Sequence, residues 1–165
     1  MPSTINDLPE PDVLPMTPRG PGLLVVDADR SARLQLAQDL TSAGFSVWTA
    51  PSGEAALDTY LRHTGDIDVM LLSVALPDLP ATEFLGWIRR HYPGVPCCFL
   101  AGVDDLPAAA PVKAAGGIVL YRPLSFHRLT AVIRRLASDP AQLDGYDPGS
   151  AFTEWQVVPR PGRVR

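Results

Sequence analysis

Three features are scarce in this sequence of 165 residues: cysteine, an excess of charge of one sign, and long apolar runs. The two cysteines, Cys97 and Cys98, are adjacent. Because neighbouring side chains on a strand point to opposite faces, a disulfide between them would be strained. We therefore predict two buried free thiols, which fits a reducing cytoplasm. No apolar run approaches the roughly 20 residues that span a bilayer, and no charged-then-apolar leader opens the chain, so we predict neither a membrane span nor a signal peptide.

The charge balance is mildly acidic. Lysine and arginine number 14 against 18 aspartates and glutamates, which gives a formal net charge of −4. No basic patch dominates, so we do not expect a nucleic-acid binder. Hydrophobic residues make up 46% of the chain and charged residues 19%, and the length suits one domain with a sizeable core. The composition therefore predicts that at least part of the chain is globular.

Proline and apolar periodicity divide the chain into three zones. Residues 1–21 hold six of the 18 prolines and no apolar periodicity, which predicts a disordered proline-rich arm. Residues 22–137 carry the periodicity of a packed domain. Residues 138–165 are again rich in turn formers and predict a flexible tail.

The tail contains two features with open interpretations. Its ending, PRPGRVR, could be a proline-rich ligand, a weak anion-binding arm or a solvated terminus; its arginines are Arg160, Arg163 and Arg165. Trp155, with Val157 and Val158, could pack back on the domain or anchor a partner.

Inside the domain, short apolar runs alternate with segments of helical periodicity. Five runs predict strands: LLVVD, FSVWT, VMLLS, CCFL and IVLY. Four residues are predicted helix caps: Asp29, Ser52, Thr82 and Ser125. Between the last two strands, Pro107 and Pro111 each interrupt helical hydrogen bonding, so we expect only a short helix, from Ala108 or Pro111 to Ala115.

Five strands alternating with helices predict a doubly wound parallel sheet with helices on both faces. The carboxyl ends of such strands line one edge of the sheet, where ligands bind. Four residues fall at or just beyond these ends: Asp27, Ser73, Ala101 and Arg122. Ser73 therefore stands where a reactive group would be presented.

At these residues the chain resembles the response-regulator receiver domain of two-component signalling. The similarity rests on LLVVDAD, GEAALDTYL, DVMLLSVALPDLPATEFLGWIRRHYPGVP and YRP, and it covers residues 22–137. It implies a flavodoxin-like sheet of order 2-1-3-4-5, a role in phosphorelay signal transduction, and a histidine kinase or another regulator as partner. It also implies a cis peptide bond between Arg122 and Pro123, because the family's lysine–proline bond at this place is cis.

The resemblance also implies a mechanism. An aspartate at the end of strand three accepts a phosphoryl group, and two acids after strand one hold a magnesium ion. A hydroxyl after strand four and a lysine after strand five contact the phosphoryl oxygens. A carboxylate suits the acceptor role because it is anionic at neutral pH and needs no base.

This chain departs from that pattern at most of the matching positions. Asp27 keeps the first acid, while Ala28 replaces the second. Ser73 stands at the phospho-acceptor position, and Ala101 stands at the hydroxyl position. Arg122 replaces the lysine and keeps its charge. We therefore expect no metal and no cofactor.

The family's aromatic switch falls at Val119, which is not aromatic. Tyr121 is the nearby aromatic residue, and we place it on the opposite face of the strand. Together with Ala101, this predicts that the switch as well as the acceptor has been lost.

Two interpretations of the remaining polar residues stay open. Asp27 and Arg122 could pair with each other across the edge, with Ser73 hydrogen-bonded locally, or they could bind a small anion. An enzyme that uses Ser73 is an alternative of another class, with His63, His91 and His127 as the available bases. No histidine has a predictable reach to Ser73 and no nucleophile elbow precedes it, so we predict that the chain is not an enzyme.

The sequence thus predicts a degenerate receiver, a pseudo-receiver that acts as a protein-interaction adaptor without phosphorylation. The resemblance implies binding at the last helix, strand five and the proline-interrupted segment, because receivers usually engage partners there; the first helix is the other candidate face. A weak homodimer is a further option. Only 28 residues follow Ala137, so we expect no output module.

Overall fold

The computed structural model describes residues 20–138. The predicted arm lies outside these residues except at its end, and the predicted tail lies outside them beyond Ser138. Five strands are present in this part of the chain: β1 (Gly22–Val26), β2 (Ser46–Ala50), β3 (Val69–Ser73), β4 (Cys97–Ala101) and β5 (Ile118–Tyr121). Five α-helices alternate with them: α1 (Arg30–Ser42), α2 (Gly53–Arg62), α3 (Ala81–His91), α4 (Leu106–Ala114) and α5 (Phe126–Ser138).

All neighbouring strands are parallel, and their order is β2-β1-β3-β4-β5. Val26 pairs with both Ala50 and Leu72, which aligns the carboxyl ends of the three strands on that side. Ala101 pairs with Tyr121 at the same edge. The predicted doubly wound sheet of order 2-1-3-4-5 is confirmed.

The sheet is covered on both faces, and each face has its own apolar core. The α2–α4 face, which α2, α3 and α4 cover, packs side chains such as Phe84, Phe99 and Val112 against the sheet. The α1/α5 face, which α1 and α5 cover, packs Leu40 and Ile133 against alternate strand residues. Burying one such side chain contributes about 2 kcal/mol, which is why the strands are continuous apolar runs.

Three of the four predicted caps are confirmed. Asp29 accepts a hydrogen bond from the backbone N–H of Ala32, Ser52 from that of Ala55, and Ser125 from that of Arg128. The prediction for Thr82 is wrong, because α3 begins at Ala81 after Pro80, with no side-chain cap. The Pro80 carbonyl accepts the first hydrogen bonds of the helix, from the N–H groups of Glu83 and Phe84, so α3 begins one residue before Thr82 and without a capping hydroxyl.

The segment between β4 and β5 holds a longer helix than expected. A 3-10 turn, Val103–Asp105, leads directly into α4, which begins at Leu106 rather than at Ala108 or Pro111 and ends at Ala114. Pro107 lies in the first turn, where a missing N–H costs nothing. Pro111 lies inside the helix, so tertiary packing holds a turn that local propensity disfavours.

Two local predictions are confirmed. The peptide bond between Arg122 and Pro123 is cis. Cys97 and Cys98 are buried and form no disulfide, and burial raises the pKa of Cys98 far above its ordinary value, so that this thiol stays protonated. Within residues 20–138, every helix is too short or too polar to cross a bilayer.

Candidate functional site at the carboxyl edge of the sheet

Backbone hydrogen bonds bring the ends of the strands to one edge of the sheet. Asp27 follows β1, and its N–H donates to the carbonyl of Ala50 over 3.2 Å. Ser73 is the last residue of β3 and pairs with Leu100. The N–H of Arg122 donates to the carbonyl of Ala101 over 2.9 Å. The four edge positions selected from the sequence therefore lie on one side of the domain.

The carboxylates of the two acids after β1, Asp27 and Asp29, accept hydrogen bonds from backbone N–H groups close to them in the chain. Asp27 Oδ1 accepts from the N–H of Asp29 at 2.9 Å, and the Asp27 carbonyl accepts from Arg33 Nη1 at 2.6 Å. The Asp29 carboxylate caps α1. Ala28, exposed between them, contributes no ligand.

The expected pairing of Asp27 with Arg122 is wrong. The ion pairs found between described residues are Arg62 with Asp58 and His63 with Asp66, and neither involves the edge. Arg122 is exposed and lines a groove between α1 and α5 instead. Arg122 precedes the turn into α5 and lines that groove, whereas the Asp27 carboxylate is hydrogen-bonded within the loop before α1.

Ser73 is half-buried, and its hydroxyl makes no hydrogen bond to any residue in the range 20–138. The prediction of a local hydrogen bond is therefore wrong. Ser73 shares the strand face of Val69 and Leu71, which belong to the apolar core of the α1/α5 face. A serine without a hydrogen-bonded base is a weak nucleophile.

The positions expected to form the switch are both apolar and fully buried. Ala101 and Val119 belong to the core of the α2–α4 face. Placing Tyr121 on the opposite face was wrong, since residues two apart on a strand share a face, and Tyr121 packs against the same core. The Lys113 ammonium lies 4.9 Å from the centre of the Tyr121 ring, a cation–π contact that ties α4 to β5.

Sequence reasoning missed Asp78, in the loop after β3. Its carboxylate accepts from the N–H of Gly53 at 2.9 Å and from that of Glu54 at 2.8 Å, so it caps α2 from another loop. Slight burial by itself raises the pKa of Asp78, but the backbone N–H donors of Glu54, Gly53 and its own loop outweigh this and lower the pKa below its ordinary value. No local signal could identify a cap that lies 25 residues from its helix.

The histidines do not come together with Ser73. His63 follows α2 and stacks on Trp48, and His91 is the last residue of α3 and stacks on Trp87. Both lie at the edge of the sheet opposite Ser73. His127 lies exposed in the first turn of α5 and shows no bond to Ser73. Within residues 20–138, no hydrogen bond joins Ser73 to a histidine.

The donor atoms at this edge differ from those that a receiver's magnesium ion requires. Magnesium prefers near-octahedral oxygen ligands with carboxylates among them. Within residues 20–138, no three histidine, cysteine, aspartate or glutamate side chains form a group that could hold a metal. Asp27 is the one acid left at the matching positions, and the residues present do not fit that ion.

The fold and the edge define the class of this molecule: a flavodoxin-like α/β domain whose site residues would lie at the carboxyl ends of β1, β3, β4 and β5. The sequence profile of the response regulator receiver domain matches residues 23–134. The chain belongs to the response-regulator receiver family of two-component signalling.

Named relatives agree with this assignment. The chain is 31% identical over 135 residues to a probable transcriptional regulator, ycf27, from Cyanidium caldarium, covering 79% of this chain and 53% of the relative. It is 30% identical over 132 residues to the response regulator MprA of Mycolicibacterium vanbaalenii, covering 79% of this chain and 56% of MprA. The chain thus spans about half the length of these relatives.

Solved structures agree on the fold. A receiver domain protein from Clostridium thermocellum superposes with a TM-score of 0.66 at 24% identity, covering 72% of this chain and 94% of that one. The chemotaxis response regulator CheY4 of Vibrio cholerae superposes with a TM-score of 0.60 at 26% identity, covering 71% of this chain and 98% of that one.

Proposed function

We propose that this receiver domain accepts no phosphoryl group and acts as a pseudo-receiver, an adaptor that binds protein partners in a phosphorelay. One observation carries the proposal. The scaffold that presents an acceptor is intact up to the end of β3, but Ser73 stands at that end. Alanines stand at two of the helper positions, Ala28 and Ala101.

The chemistry of the edge supports this proposal. The Ser73 hydroxyl is protonated at neutral pH, needs a base, and cannot form the acyl phosphate of a working receiver. Asp27, the remaining acid, already accepts a hydrogen bond from its own loop. We accordingly propose that the domain uses neither magnesium nor another cofactor and has no enzymatic activity of its own.

Exposed apolar side chains support a binding role. Val103, Leu106 and Phe126 are exposed around α4 and the start of α5, and Leu34 is exposed on α1. We propose that a histidine kinase or another regulator in the cytoplasm binds one of these two surfaces, and a weak homodimer would use the same residues. Two buried free thiols and the family's role agree with that compartment.

The loss of phosphoryl chemistry is tested with acetyl phosphate and magnesium, read by intact mass, and with beryllofluoride, read by the fluorescence of Trp48 and Trp87. We expect no covalent phosphoryl group and no metal-dependent change. The matched control is the triple variant Ala28→Asp, Ser73→Asp, Ala101→Thr, which restores the acids and the hydroxyl and should respond in both assays. Stoichiometric phosphorylation of the unaltered chain would overturn the proposal.

The adaptor role is tested by calorimetry with a purified partner histidine kinase. Binding should be the same with and without phosphodonor, and Val103→Asp or Leu34→Asp should weaken it at least tenfold. Leu61→Asp, at an exposed leucine on α2, is the control. Loss of binding without phosphodonor would contradict the proposal.

One observation favours a second candidate, a response to a small anion. Within the described residues, the Arg122 guanidinium has no hydrogen bond and no ion pair, although it lies at the edge. A phosphate or carboxylate could therefore bind Arg122, at the same edge of the sheet as Asp27. Titration with inorganic phosphate should then raise the melting temperature of the chain but not that of Arg122→Gln.

A further inference from the structure

A groove of about 360 Å³ separates α1 from α5 at the carboxyl edge. Its apolar lining comes from both helices and from the turn between them and the sheet: Leu36, Leu100, Leu124, Phe126 and Leu129. Arg122 and Asp39 add one charge of each sign. The groove therefore suits a short apolar segment with an acidic side chain for Arg122.

Residues 20–138 leave one aromatic ring and one charged group of the groove without a partner. Phe126 is 41% exposed on its wall, a large aromatic surface left in water. Asp39 accepts from Gln35 Nε2 at 3.0 Å, whereas the Arg122 guanidinium makes no hydrogen bond or ion pair with any described residue. A single segment that carries both apolar side chains and a carboxylate would cover the Phe126 ring and pair with Arg122.

We propose that residues 152–158 of the same chain, FTEWQVV, occupy this groove, with Trp155 against Phe126 and Glu154 paired with Arg122. The segment holds two aromatic and two β-branched apolar residues around a single acid. This chemistry matches the apolar walls and the unpaired cation.

The length of the chain permits this return. Residue 152 follows the last residue of α5 by 14 positions, and such a linker reaches about 45 Å when extended. Helix α5 has 13 residues and is about 20 Å long, so the segment can run back from its end to its start. The proposal does not depend on the loss of phosphoryl chemistry.

The test uses the full chain with Trp48→Phe and Trp87→Phe, so that Trp155 is the only tryptophan. Acrylamide quenching should be several-fold weaker for Trp155 in this chain than in the free peptide of residues 139–165. Phe126→Asp should raise quenching to the level of the peptide. Leu61→Asp, at another exposed apolar residue, should not.

Charge reversal separates docking in this groove from unfolding or docking elsewhere. Arg122→Glu should expose Trp155, and the added change Glu154→Arg should restore its protection. Arg90→Glu, an exposed arginine on α3, is the matched control and should have no effect.

Three results would overturn the proposal. Quenching equal to that of the peptide in the parent chain would mean that the segment is free. Protection that is insensitive to both Phe126→Asp and Arg122→Glu would place the segment elsewhere. Protection that disappears on dilution would assign the groove to a second copy of the chain.

Discussion

The α2–α4 face and the α1/α5 face of the sheet are held by different contacts. On the first, α3 buries four residues, and Asp78 and Arg89 reach across loops to bind the ends of α2 and α4. On the second, α1 buries only Leu40 of its 13 residues, and a groove remains beside α5. Both faces keep a groove, one of about 450 Å³ beside α3 and α4 and one of about 360 Å³ between α1 and α5, so the faces differ in how their helix ends are bound. We expect the free energy of unfolding to depend mainly on the α2–α4 face.

The largest difference in the loss of unfolding free energy should appear between substitutions of two phenylalanines, one on each face. Phe84→Ala removes a fully buried ring from the α2–α4 core and should lower the free energy of unfolding by about 3–5 kcal/mol. Phe126→Ala, at a partly exposed position on the other face, should cost less than about 1 kcal/mol. Urea denaturation followed by circular dichroism measures both. Equal losses would show that the two faces do not differ.

The next difference should lie between two arginines that each bind the end of a helix. Arg89 is half-buried and donates to the carbonyls of Ala115 and Gly116 after α4, so Arg89→Met should cost about 1.5–3 kcal/mol. Arg134 donates to the carbonyl of Ala43 at 3.0 Å but is exposed, so Arg134→Met should cost under about 1 kcal/mol. The same denaturation assay applies. A larger cost at Arg134 would reverse the comparison.

Asp78 should show a smaller, pH-dependent effect. Asp78→Asn should lower the free energy of unfolding by about 1 kcal/mol at neutral pH, because α2 loses a charged cap. The pKa of Asp78 is lowered in the folded chain, so its contribution is complete above the unfolded value near 4 and is lost as the pH falls through the folded value.

Unfolding curves of both chains from neutral pH to about pH 3 measure this effect. The difference between them should be constant above about pH 5 and should narrow below about pH 4. Asp29→Asn, at a cap within its own loop, is the comparison for a local carboxylate cap. A difference that widens on acidification would contradict the assigned role of Asp78.

The smallest effect should come from the contact between Lys113 and Tyr121. Lys113→Gln removes the charge above the ring and should cost about 0.5–1 kcal/mol at this half-buried site. Lys113→Arg should restore the contact. A loss above about 2 kcal/mol would mean that Lys113 has a further role in joining α4 to β5.

Much of the fold could be predicted from local pattern. The five apolar runs became the five strands, and the caps at Asp29, Ser52 and Ser125 formed as expected, because a cap depends on residues within one turn. The start of α3 was misplaced because Pro80 begins that helix without a hydroxyl. Helix α4 was underestimated because its packing overrides Pro111.

Some features of the candidate site could likewise be predicted from the sequence, and others depend on tertiary contacts. The identities of Ser73, Ala28 and Ala101 are visible in the sequence, and they alone limit what chemistry the edge can perform. The direction of Arg122 was not visible, because it depends on how the turn after β5 meets α1 and α5. The cap by Asp78 was not visible either, since its partners lie in another loop.

The sequence by itself determined the strand and helix order and the absence of an acceptor carboxylate at the end of β3. Periodicity and residue identity are local properties, and they suffice for both. Only the tertiary structure decided which distant groups meet: Asp78 with the start of α2, Arg89 with the end of α4, and Arg122 with a groove rather than with Asp27. The physical reason is that these contacts depend on the relative placement of loops, which packing against the sheet sets and no local pattern encodes.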